Sequence, residues 1–112
     1  MDTKYLFFAT GGGMDSASES VIYPLSSFRG IHPVGATVLA LRFDPLIITD
    51  VAAGDATDLI AITFASGNYL TVATAIIDFI NSSNPGVVKI CDADNSIFCN
   101  NLITDCSITL AA

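Results

Sequence analysis

Hydrophobic residues in this chain fall in runs of four to eight, each broken by Gly, Pro, Asp or Asn, and this punctuation constrains the fold more than any other feature. Short apolar runs bounded by turn formers make strands, whereas a membrane span needs roughly 18 to 20 uninterrupted apolar residues. The pattern is that of a β-rich globule and excludes membrane-spanning helices. With 112 residues the chain has the size of one domain, 1–112. A chain of this length buries about two-thirds of the surface its unfolded form exposes. That makes a core but no deep substrate cleft, so function is expected at the surface.

Lys4 to Ala9 reads as a strand stopped by Gly11, Gly12 and Gly13, which suggests an N-terminal arm over residues 1–13 hinged at the glycines. Ser20 to Phe28 is strand-like with an edge or bend at Pro24, which cannot donate to a ladder. In Ala36 to Phe43, Leu39, Leu41 and Phe43 alternate with Val38, Ala40 and Arg42, and the first set is expected to be buried. Pro45 ends that strand, and a loop that still packs or pairs leads to another strand at Leu59 to Phe64. Ser66, Gly67 and Asn68 then turn the chain.

Val72, Ile76, Phe79 and Ile80 recur at helical spacing, predicting one helix over residues 71–82 with Thr71 as N-cap and Asn84, Pro85 and Gly86 as the stop. Val87 to Cys91, Ser96 to Cys99 and Thr104 to Leu110 follow as a small antiparallel meander. The fold class is α+β, mainly β: a compact antiparallel β-sandwich or small β-barrel with one covering helix.

Charge narrows the partners. The net charge is −7, and the cations are Lys4, Arg29, Arg42 and Lys89. Nucleic-acid binding needs clustered cations to displace phosphate counterions, so direct DNA or RNA contact is not expected, and an anionic membrane would repel the chain. Only 13% of residues are charged, about half the usual 25% or so. Such a surface suits a subunit shared with neighbours. The start, MDTKYLFFAT, lacks the longer apolar centre of a secretory signal and reads as mature sequence. Cys91, Cys99 and Cys106 are an odd number and read as free thiols in a reducing cytoplasm, with a Cys99–Cys106 pair if those two lie on neighbouring strands.

Four constellations resemble chemistry. Ala9 to Ser16, ATGGGMDS, is similar to the glycine loop with which ATP-pyrophosphatases hold pyrophosphate, but that loop needs a helix straight after it and VIYPL is strand-like. Asp92, Asp94 and Asn95 supply only the first two ligands of a calcium loop; a turn between strands is the expected role. His32 precedes Pro33 and has no evident partner, which makes it a structural or surface histidine. The cysteine spacing matches no metal site, and each thiol reads as a small buried hydrophobe. No catalytic residue, cofactor or metal is assigned.

The segments YPLSSFRGI (Tyr23 to Ile31), DADNSIF (Asp92 to Phe98) and ITDCSITL (Ile103 to Leu110) resemble a group of small proteins encoded by tailed phages of marine bacteria. The intervening ATVLALRF, LIAITF and TVATAIIDFIN keep the order those proteins show, although Asp105 stands where a small or apolar residue fits more easily. The resemblance implies a virion structural component, made in the host cytoplasm, such as a capsid decoration or cement protein. Its partners would be a major capsid or other virion protein and copies of itself.

On that reading the arm, with Tyr5 and Phe7, adds a strand to a neighbour. Tyr23, Leu25, Phe28 and Ile31 are candidate interface anchors, or else core residues. Arg29 awaits a specific carboxylate. Two alternatives are a ring-forming Sm-like β-barrel binding module and a small nucleotide-binding enzyme using the GGGMDS loop.

Overall fold

The computed structural model describes residues 4–11, 16, 19–45 and 57–110. The elements in chain order are β1 (Lys4–Ala9), β2 (Ser20–Pro24), a 3-10 turn (Leu25–Ser27), β3 (Phe28–Gly35), β4 (Val38–Phe43), β5 (Asp58–Phe64), α1 (Tyr69–Ser82), β6 (Gly86–Asp92), β7 (Ile97–Phe98) and β8 (Ile103–Thr109). They form two four-stranded sheets, β2-β1-β6-β7 and β3-β4-β5-β8. The result is sandwich-like and mainly β, as the apolar runs predict. No described strand is shared between the sheets, so the sandwich fits and the closed barrel does not.

Pro24 acts as the expected break. The chain leaves the first sheet there, makes one tight turn, and enters the second at Phe28. Every described pairing is antiparallel except β1 with β6, whose parallel register runs from Lys4 beside Gly86 to Ala9 beside Asp92. A parallel pair needs a long crossover, and here the crossover includes β3, β4, β5 and α1.

This pairing corrects the arm. Residues 4–9 are the second strand of the first sheet, hydrogen-bonded on both sides, with Leu6, Phe8 and Ala9 fully buried. A free arm with three such side chains would expose them to water; in the sheet they form part of the core. The meander is also corrected. β6 and β7 pair as expected, but β8 crosses to the other sheet and pairs with β5.

The inner faces meet in one core containing Leu6, Phe8 and Tyr23 from the first sheet and Leu39, Leu41, Phe43, Ile60 and Ile62 from the second. Tyr23 stacks on Phe43 with centroids 4.2 Å apart, and Phe8 meets Phe43 edge-on at 5.6 Å. These cross-sheet aromatic contacts fix how the sheets face each other. Helix α1 packs against β4 of one sheet and β6 of the other, burying Val72, Ala73, Ile76 and Ile80.

The helix begins earlier than predicted. Asn68, not Thr71, is the N-cap; its side-chain amide donates to the carbonyls of Ala65 and Ser66 and so shapes the turn before the helix. At the other end the Lys4 ammonium donates to the Ile80 carbonyl at 2.6 Å. A cation there complements the helix dipole and ties β1 to α1.

Candidate interaction surface

In β1 the inward side chains Leu6 and Phe8 are apolar, and so are the outward ones, Tyr5 and Phe7. A strand of a one-sided sheet alternates apolar with polar; a strand apolar on both faces is the pattern of a sheet covered on both. The register extends the outward set sideways. Tyr5 lies between Pro24 and Val87, and Phe7 between Ile22 and Lys89. The outer face of the first sheet is thus largely apolar, with Tyr5 41%, Ile22 46% and Val87 57% exposed and the exposed Lys89 beside Phe7 as its one cation among the described residues. Leu25 is exposed at its margin, next after Pro24 in the chain.

The outer face of the second sheet differs in kind. Ala40, Ala61 and Ser107 lie in one row across it, and Val38, Thr63 and Asp105 in the next. Its side chains are small and mixed in polarity: Ala40 is fully buried, Val38, Ala61 and Thr63 are half-buried, and Ser107 and Asp105 are exposed. Asp105 is exposed there, its carboxylate accepting from the Cys106 amide at 2.8 Å. The register of the last strand therefore tolerates the acid without burying it.

The sequence-predicted anchors separate. Tyr5 and Phe7 lie on the apolar face, as strand residues rather than as an arm. Tyr23 is fully buried and leaves the interface set: its hydroxyl donates to the Asp58 carboxylate at 2.7 Å, and Asp58 is itself buried. Burial and the neighbouring carboxylate hold the Tyr23 phenol above its ordinary range. Phe28 and Ile31 are half-buried against the core, and with Gly30, Ala73, Thr74 and Ile77 they line an open groove of about 400 Å³ between β3 and α1. Arg29 has its carboxylate: its guanidinium meets Asp44 at 2.6 Å, both side chains more than half exposed. That partner lies within the chain, so Arg29 loses its standing as an unsatisfied cation.

The other constellations take structural roles. The Asp92 carboxylate accepts from the backbone and side-chain amides of Asn95, closing the turn before β7. His32 is exposed and accepts from Arg42 at 3.1 Å, leaving its other ring nitrogen to the Pro33 carbonyl. In the GGGMDS segment Gly11 occupies a turn, residues 12–15 lie outside the described residues, and β2 follows from Ser20 where a phosphate-binding loop would open a helix. Cys91 and Cys106 are buried and Cys99 half-buried, all three free. Cys99 and Cys106 do not lie on neighbouring strands, because β8 left the meander for the other sheet.

Sequence reasoning missed Ile22 and Val87 as surface residues. The signal was present in β1, where KYLFFA is apolar at both parities, but only the pairing register shows which neighbours complete the patch. No protein family, curated protein or solved structure matches the chain. No described helix is long and apolar enough to cross a membrane.

Proposed function

We propose that this chain is a non-enzymatic structural subunit of a phage particle, a decoration or cement protein that seats the outer face of its first sheet on a neighbouring shell subunit. The observation that carries the contact is the apolar outer face built from Tyr5, Phe7, Ile22, Pro24 and Val87. Apolar area removed from water is worth about 25 cal/mol per Å², and repetition over many copies turns a modest contact into a firm one. The outer face of the second sheet, with its smaller side chains and the exposed Asp105 and Ser107, would then point to solvent. The assignment to a phage particle rests on the sequence resemblance.

The contact is a sheet face, not the strand exchange the arm suggested. Mass spectrometry of purified particles from the source of the gene tests the reading: the chain is expected at a fixed, stoichiometric copy number. Its absence from particles that carry all other shell proteins refutes the proposal.

A further inference from the structure

Cys91 lies on β6 of the first sheet and Cys106 on β8 of the second, two strands whose Cα atoms approach within 8 Å. The Cys106 thiol donates to the Ala9 carbonyl at 3.3 Å, and Ala9 sits in β1 next to Phe8, the register partner of Cys91. The Cys106 sulfur therefore crosses the core to β1, one residue along from the register partner of Cys91, and of the neighbouring groups Cys106 acts most strongly on the Cys91 thiol. We infer that Cys91 and Cys106 are a built-in cross-linking site, which a small-molecule disulfide converts to an intersheet disulfide without rearranging the fold.

The geometry asks little of the chain. Two buried thiols that approach each other from facing sheets need mainly side-chain rotation to adopt the dihedral a disulfide prefers. Cys91 pairs in register with Phe98 of β7, a strand of two residues at the sheet edge. So short an edge strand opens locally at low cost, which admits the oxidant. One cysteine thiolate attacks the small disulfide, releasing one small thiol and leaving a mixed disulfide. The second cysteine then displaces the other small thiol. Two electrons pass from the protein sulfurs to the reagent, and the two protons leave with the released thiols.

Cys99 is not part of the pair. It follows β7 in the first sheet, its backbone amide donates to Ile90 at 3.0 Å, and burial pushes its thiol up to about 11. Cys91 is likewise held above its ordinary range by Cys106 and by burial. Attack by Cys91 is therefore slow at neutral pH and accelerates about tenfold per pH unit with its thiolate fraction. The inference is independent of the proposed function. It would give any assembly that leaves a reducing cytoplasm a lock between the two sheets.

Incubation of the whole purified chain with oxidised glutathione, followed by alkylation, protease mapping and mass spectrometry, tests it. The expected product is about 2 Da lighter, contains a Cys91–Cys106 linked peptide, and retains an alkylatable Cys99. The cross-link closes a loop of about fifteen residues, so the melting temperature should rise by roughly 10 °C and return on reduction. Cys99→Ala should give the same linked peptide and the same rise. Glutathione retained on any cysteine with no linked peptide overturns the inference, and so does a linked peptide containing Cys99.

Discussion

Tyr23→Phe removes one oxygen from the centre of the protein and asks what the Tyr23–Asp58 contact is worth. The ring stays stacked on Phe43, so no cavity opens and the cost comes from the hydrogen bond alone. The bond is 2.7 Å long, its donor 0% and its acceptor 1% exposed, so a buried carboxylate loses a donor that water cannot replace. Hydrogen bonds to charged groups contribute about 1.5–3 kcal/mol, which predicts a loss of about 2 kcal/mol in urea unfolding at pH 7 with an unchanged m-value. A second readout follows from the raised phenol. The folded state keeps the Tyr23 proton above pH 10 while the unfolded state releases it, so stability falls as pH rises through that range, by about 1.4 kcal/mol per unit for this group. The wild type should therefore lose stability more steeply than Tyr23→Phe between pH 10 and 12, and the two should converge. A change below about 0.5 kcal/mol at pH 7, together with parallel pH profiles, would refute the reasoning and return Tyr23 to the list of contact residues.

Deleting residues 1–10 should abolish cooperative unfolding, because the deletion removes a strand paired on both sides; a variant with a native circular dichroism spectrum and melting transition would restore the arm. Ile22→Thr with Val87→Thr keeps β-branched residues on the outer face, so thermal melts should move little while self-association in light scattering and occupancy in purified particles fall; unchanged occupancy would clear this face of any role. Arg29→Ala breaks only an exposed ion pair, so chemical denaturation should register no more than about 1 kcal/mol, and a larger loss would mean that Arg29 has a further role.

Local structure was largely legible in the sequence. Strand and helix positions follow from periodicity and turn residues within a few positions: ATVLALRF buries Leu39, Leu41 and Phe43 as its alternation demands, and α1 buries Val72, Ile76 and Ile80 as its spacing demands. The helix start shifted because Asn68 shapes the turn through carbonyls that a count of apolar positions does not weigh. The candidate surface was legible only in part. Tyr5 and Phe7 were named for the wrong reason, Tyr23 was a contact candidate that proved buried, and Ile22 and Val87 were missed.

The sequence by itself determined a mainly β fold with one helix, a low charge, and a first strand apolar at both parities. Each of these depends on residues close together in the chain, where spacing alone sets the geometry. Tertiary structure decided that β1 pairs in parallel with β6, that β8 abandons its neighbours for β5, that Tyr23 turns inward to Asp58, and that the Cys106 thiol reaches across the core to the Ala9 carbonyl. Those outcomes join residues far apart along the chain. An apolar side chain has the same local signature whether its strand turns it to the core or to a partner, so only the pairing register could assign the faces.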